Sequence, residues 1–287
     1  MRAISAPKEI HEVAQQLRLE GQTIGLVPTM GALHDGHLSL IRQSMEDNDR
    51  TIVSIFVNPL QFNKQEDLAN YPKSIEDDTI KLAAVKVDYL FVPSAEQFYE
   101  TKPTLTISFG DLESKLEGEF RPGHFGGVGI VVNKLLNLVQ PTRAYFGLKD
   151  LQQFMIIRKM VEDLSIPVEI LGINTIREAS GLAMSSRNRR LSNNGLTVGA
   201  NIYQGLEKAR KEILAGEDLN EVKNRLTSFY SSVEGLEVEY LEILDPSNFG
   251  FIERYDQKNE LAIFFAGYVE NVRLIDNLYL RSPAAVS

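Results

Sequence analysis

Short apolar runs alternating with helical patterns through residue 173 predict an α/β fold on a parallel sheet. A polar, basic stretch near residue 177 marks a change of character. Behind it lie two helical patterns and three alternating strands, which predict a smaller α+β domain. The expected domains are therefore 1–176 and 177–287.

The elements follow in order. Residues 7–20 place Ile10, Val13 and Leu17 on one helical face, with Gly21 just beyond as a stop signal. TIGLV at 23–27 is a buried strand, and a helix opens near Gly36. TIVSIFVN at 51–58 is a second strand. SIEDDTIKLAAVKV at 74–87 begins with Ser74 and has Asp77 three residues on, a helix-start signature. DYLFVP at 88–93 is a third strand, and GIVVNKLLNLVQP at 129–141 is a helix ended by proline. RAYFG at 143–147 is a fourth strand, 150–163 a helix and PVEILGI at 167–173 a fifth strand. Beyond the change of character, helices are expected at 192–215 and 218–232, the second opened by Asp218 with Glu221. LEVEYLEIL, ELAIFFAGYV and VRLIDNLYL alternate like antiparallel strands, with Asp245-Pro246 as a turn.

Bulk properties exclude several classes. Of 287 residues, 43% are hydrophobic and 24% charged, which suits one large globular domain or two ordinary ones. A net charge of −9 argues against broad nucleic-acid or anionic-membrane binding. No apolar run is long enough to span a membrane, and the charged N-terminal segment lacks the apolar core of a secretory signal. The chain has no cysteine, which fits a reducing cytoplasm.

VPTMGALHDGHLSLI, residues 27–41, is the most informative stretch. It reads as a strand end, a turn and a helix opening at His34-Asp35-Gly36-His37. A helix start offers unpaired N–H groups and partial positive charge, which suit a phosphate. Gly36 is expected to let a ligand approach the backbone, and the histidines to add N–H donors beside it. A zinc site needs three or four ligands, and the only other histidines are His11, in a helix, and His124, in a glycine-rich loop. The pair is therefore read as an anion site, not a metal site. No Walker-type loop is present, and GGVG at 126–129 does not complete a G-x-G-x-x-G.

In open parallel sheets, ligands lie beyond the carboxyl ends of the strands. Polar residues gather at those ends: Thr29-Met30-Gly31, Asn58-Pro59-Leu60-Gln61, Gly147-Leu148-Lys149-Asp150 with Gln152 and Gln153, and Met184-Ser185-Ser186-Arg187. Lys149 can neutralise a phosphate as a mobile point charge, and Arg187 can clamp one through two N–H groups. Ser185 and Ser186 supply hydroxyls. Asp150 either accepts from ribose hydroxyls or is a favourable first-turn acid. Gln61 and Gln153, neutral with both donors and acceptors, suit a small substrate bearing hydroxyls and a carboxylate. Arg187, Arg189 and Arg190 are either a solvated basic loop or a site for a triphosphate.

HDGH resembles the H-x-G-H motif of the nucleotidylyltransferase superfamily, and AMSSRN resembles its K-M-S-K-S-like phosphate loop. VPTMGALHDGH, SIFVNPLQF, RPGHFGGV, NLVQPTRAYFGLKDLQQ and REASGLAMSSRNRRLS together resemble the pantoate–β-alanine ligase (pantothenate synthetase) family, in its order. Leu148 departs from relatives that carry a charged residue there. The resemblance implies a Rossmann-like nucleotide-binding domain and a two-step reaction. Pantoate is adenylated by ATP with release of pyrophosphate, then β-alanine displaces AMP to give pantothenate. It implies catalytic roles for His34, His37, Lys149, Ser185 and Arg187, with His37 the strongest transition-state contact. ATP is expected along Met30, Gly31, Ala32, Leu33, Asp35 and Gly36 with the histidines, along Gly147 to Asp150, and at Ile176 and Met184 to Arg187. Gln61 and Gln153 are expected on pantoate, and Gln61 also near β-alanine. Magnesium is expected with ATP, held mainly by phosphates and water. A cytoplasmic homodimer is expected, binding neither nucleic acid nor membrane. Other readings of the motifs are a different nucleotidylyltransferase, an RNA-binding module on a synthetase-like fold, and a catalytically silent nucleotide-binding regulator.

Overall fold

The computed structural model describes residues 1–63, 68–69, 71–72 and 74–281. The described chain forms two compact units. The first comprises Met1–Leu148 and Gln153–Asn174; the second takes Lys149–Gln152 and the described residues from Thr175 on.

The first unit is a six-stranded parallel sheet. Its strands are β1 (Arg2–Ile4), β2 (Ile24–Thr29), β3 (Arg50–Ile55), β4 (Tyr89–Phe91), β5 (Arg143–Gly147) and β6 (Glu169–Ile173). Its longer helices are α1 (Pro7–Leu19), α2 (Asp35–Asp47), α3 (Ile75–Ala84), α6 (His124–Val139) and α7 (Leu151–Asp163), with short turns of helix α4 (Ala95–Phe98) and α5 (Glu117–Phe120). The spatial order is β1-β4-β3-β2-β5-β6. Ile24, Leu26, Ile52 and Val53 are fully buried, as strands covered on both faces require, each side chain worth about 1.5–3 kcal/mol. β1 escapes sequence reading because three residues carry no periodicity; it is an edge strand paired with β4.

The strand order reverses at β2, which has β3 on one side and β5 on the other. The crevice beyond the carboxyl ends of β2 and β5 is therefore the topological switch point, where such sheets bind ligands.

Three local expectations need correction. α6 begins at His124, five residues before the expected start, so His124 is helical and buried, not in a loop. Its glycines serve close packing: a Cβ at Gly127 would lie 2.4 Å from the Leu60 carbonyl oxygen, and one at Gly129 2.9 Å from Phe109 Cζ. Ser74 sits at the N-cap of α3 but makes no side-chain cap bond. On α1 the buried face is Ile10, Ala14 and Leu17, with Val13 half-buried.

The second unit pairs α8 (Asn193–Leu214) and α9 (Leu219–Ser231) with a four-stranded antiparallel sheet. The sheet's strands are β7 (Leu236–Asp245), β8 (Gly250–Phe251), β9 (Leu261–Val269) and β10 (Val272–Leu280), in the order β10-β9-β7-β8. Asp218 caps α9 by accepting from the Asn220 and Glu221 amides. Leu206, Val222, Tyr230, Leu261, Ile263 and Phe265 form the core between helices and sheet. β9 and β10 join through Glu270 and Asn271, both at positive φ (50° and 62°), the tight reverse turn that matches sheet twist. Among the described residues, no helix is long and apolar enough to cross a membrane.

Candidate active site

The segment from Met30 to His37 leaves the carboxyl end of β2. Gly31 (φ 86°) and Ala32 (φ 51°) turn the chain. His34 then stands at the N-cap of α2 in extended conformation. Its Nδ1 accepts from the Gly36 amide at 3.1 Å, and its own amide donates to His37 Nδ1 at 3.3 Å. This is a capping box built from two imidazoles. With each Nδ1 an acceptor, the neutral rings carry their proton on Nε2, so the helix start sets both tautomers. The rings lie 4.1 Å apart between centroids, inclined by 42°. A Cβ at Gly36 would lie 2.8 Å from His34 Cε1. Gly36 therefore makes room for the capping imidazole.

Gln61 lies in a 3₁₀ turn, Pro59–Gln61, beyond β3, and is 6% exposed. Its Nε2 donates to Met30 Sδ at 3.1 Å, and its Oε1 accepts from Asn58 Nδ2 at 3.1 Å. Asn58 also donates to the Gly127 carbonyl at 3.0 Å and accepts from the Tyr99 hydroxyl at 3.0 Å. The Gln61 carbonyl accepts from His124 Nδ1 at 2.9 Å. Burial pushes the Tyr99 hydroxyl well above the ordinary phenol range, so it remains a donor. Met30 and Gln61 thus touch, and His34 and His37 pair, both in the first unit on or beside the segment that leaves β2. Gln153, half-buried on α7, belongs to the same unit. Gly147 ends β5, the neighbouring strand, and Leu148 follows it.

The second unit carries the cationic residues. Lys149, Ser185, Arg187, Asn188, Arg273 and Asp276 line a small cleft together with the apolar Leu182 and Ile202. Ser185 Oγ accepts from the Arg187 amide, opening a 3₁₀ turn over Ser186–Arg190. Arg187 donates to the Arg273 carbonyl at 3.1 Å. Asn277 Nδ2 donates to the Lys149 carbonyl at 2.7 Å, which ties Lys149 to β10. Lys149 Nζ is 3.8 Å from Asp150, itself half-exposed. Ile176, Met184 and Ser186 adjoin the cleft in sequence; the Met184 amide donates to the Ile176 carbonyl at 3.0 Å. Arg189 and Arg190 are exposed, unlike Arg187.

The composition of the 178–190 segment predicts a loop with little apolar area to hold it. Instead Leu182 and Ala183 are buried, Arg177 pairs with Ala183 in a bridge, and Asn188 donates to the Ala183 carbonyl. Arg177 also forms a two-pronged ion pair with Asp276, at 2.6 and 3.0 Å, and stacks over Tyr203 at 3.7 Å.

Sequence reading missed Asp78, Lys81, Tyr99 and Asp276 as builders of these sites, and gave His124 no role. Asp78 accepts from the Ala32 and Leu33 amides, and Lys81 donates to the Leu33 carbonyl. Only the Asp in the first turn of a helix after Ser74 hinted at them, and that hint pointed to capping.

A family model described as Pantoate-beta-alanine ligase matches residues 2–279. A pantothenate synthetase of Cytophaga hutchinsonii is 45% identical, covering 93% of this chain and 97% of its own. One from Thermodesulfovibrio yellowstonii is 44% identical, covering 97% and 99%. The crystal structure of pantothenate synthetase from Thermus thermophilus superposes with a TM-score of 0.90 at 38% identity, covering 97% of this chain and 99% of that one. A pantoate-beta-alanine ligase from Francisella tularensis, complexed with beta-gamma ATP and beta-alanine, gives 0.78 at 38% identity, with 97% of each chain covered.

Proposed function

The chain belongs to the pantoate–β-alanine ligase family, and on that premise we propose that it condenses pantoate with β-alanine to pantothenate at the expense of ATP. The observation that carries this reading is the imidazole capping box at the sheet's switch point. It holds two Nε2–H donors in one tautomer at a helix N-terminus, where charge develops on a phosphate.

In the first step a pantoate carboxylate oxygen attacks the α-phosphorus. The bond to the β-phosphate oxygen breaks, and pyrophosphate leaves. Negative charge accumulates on the phosphates, so catalysis is positioning plus electrostatic stabilisation. His34 and His37 donate to those oxygens, with His37 the stronger contact. Lys149 supplies a mobile positive charge, Arg187 a planar fork, and Ser185 and Ser186 hydroxyl donors. The buried carboxamide of Gln61, with Gln153, orients pantoate by hydrogen bonds. In the second step the β-alanine amine, near Gln61, attacks the acyl carbon. The C–O bond to AMP breaks, and the amine gives up its proton.

Met30–His37, Gly147–Asp150, Ile176 and Met184–Arg187 are the residues that bind ATP in this reading, with Met184–Arg187 on its triphosphate. Magnesium arrives with ATP, coordinated by its phosphates. The resemblance also supports a cytoplasmic homodimer, which sedimentation of the purified protein tests. The test of the activity is incubation with ATP, Mg²⁺, pantoate and β-alanine. The expected products are AMP, pyrophosphate and pantothenate in equal amounts; ADP formed in step with pantothenate excludes the adenylate route.

A further inference from the structure

The Met30–Leu33 turn is held from outside by α3, a helix that carries none of the residues assigned to ATP or pantoate. Asp78 is fully buried. Its two carboxylate oxygens are divided between consecutive amides of the turn: Oδ2 accepts from Ala32 and Oδ1 from Leu33, each at 2.8 Å. One helical turn on, Lys81 Nζ donates to the Leu33 carbonyl at 2.6 Å. Donor and acceptor groups of one peptide stretch are thus gripped by opposite charges of one helix. The stretch needs gripping, since Ala32 lies at φ 51°, where an L-residue is disfavoured by about 1–2 kcal/mol. The next residue after the turn is His34, whose amide and ring form half of the imidazole box. On the other side, Met30 Sδ accepts from the Gln61 carboxamide.

We propose that Asp78 and Lys81 are positioning residues for adenylation, holding the Met30–Leu33 turn so that His34 and His37 present their Nε2–H groups in one fixed geometry. A buried carboxylate with both oxygens on backbone N–H groups is a charge-assisted clamp, stronger than neutral turn bonds. Neither side chain needs to touch substrate. The consequence is catalytic because a misplacement of about 1 Å can cost roughly 10²-fold in rate.

The inference rests on the ligase reading, and the experiment separates the two. Failure of the unmodified protein to form AMP and pantothenate sinks that reading; the comparison below decides this one. Asp78→Asn keeps the shape but turns an NH₂ group toward a backbone N–H. The expected result is kcat for pantoate-dependent ATP–pyrophosphate exchange lowered about 10- to 100-fold, with KM for ATP within about threefold. In ¹⁵N-histidine NMR, which needs no turnover, His34 and His37 pass from a single Nε2–H tautomer to averaged signals. Lys81→Met, which keeps the half-buried stem, carries the same readouts if Asp78→Asn does not fold; Lys81→Arg is expected to restore most of the rate. A folded variant with kcat within about twofold of the parent, or with both tautomers still locked, overturns the proposal.

Discussion

His34 and His37 cap the same helix with opposite halves of one box: the His34 amide donates to the His37 ring, and the Gly36 amide donates to the His34 ring. A structural and a chemical role therefore share each imidazole, and substitution can divide them. Asn is as good an N-cap as any residue but has no Nε2–H. His34→Asn is expected to leave the melting temperature nearly unchanged while adenylation slows. His37→Ala is expected to slow adenylation by roughly 10²-fold or more. It also loses one cap bond, about 0.5–1.5 kcal/mol of stability. Single-turnover kinetics beside thermal melts measure both; normal turnover in His37→Ala removes it from the mechanism.

Gln61→Ala and Gln153→Ala are expected to raise KM for pantoate while KM for ATP holds. Loss of one such hydrogen bond corresponds to about three- to tenfold. For Gln61 the fold tolerates the change, since Asn58 keeps the Gly127 carbonyl and the Tyr99 hydroxyl. Equal weakening of both substrates contradicts the assignment.

Asp276 is almost fully buried beneath Arg177, so removing it strands a charge. Asp276→Ala is expected to lower stability by about 3 kcal/mol, the low end for a broken buried pair. Arg177 keeps the Gly181 carbonyl and the face of Tyr203, which limits the loss. Urea unfolding of variant and parent measures the difference; a cost below about 1 kcal/mol shows that the pair contributes no more than a surface one.

Glu270 accepts from the hydroxyl and amide of Ser192 at the N-cap of α8. Those bonds, the hydroxyl's first, hold its carboxyl below the ordinary range. A lowered folded-state pKa means stability that is present above the unfolded value and lost as pH falls through the folded one. Glu270→Gln is therefore expected to melt earlier than the parent at pH 7, with the gap closing below about pH 4.3, the ordinary glutamate value. A gap that stays constant across that range removes the linkage.

The segment 178–190 offers a further measurement. The Met184 amide is bonded to Ile176 and the Glu178 amide to Leu182, inside the second unit. Hydrogen exchange is expected to show both amides protected without nucleotide, with added protection at Ser185–Arg187 when ATP and Mg²⁺ are present. No added protection withdraws Arg187 from the phosphates.

The amino-acid sequence alone determined the alternating α/β order, the break in character near residue 177, and the H-x-G-H and MSSR segments. Each depends on periodicity or residue type within a short window. RAYFG at Arg143–Gly147 matched its strand residue for residue, because a buried parallel strand bounded by proline and glycine has few other readings. Tertiary structure decided what no window contains. Gly127 read as a loop signal, yet it lies inside α6, and it is glycine because the Leu60 backbone leaves no room for a Cβ. Asp78 drew no reading of its own beside the Ser74 and Asp77 signature; only folding brings it to the Ala32 and Leu33 amides, 46 and 45 residues away. Lys149 follows β5 in sequence, yet its carbonyl is bonded to Asn277, 128 residues on. Side-chain type declares what chemistry is available. Which backbone groups each side chain must satisfy depends on contacts distant in sequence, and those set the geometry in which the chemistry works.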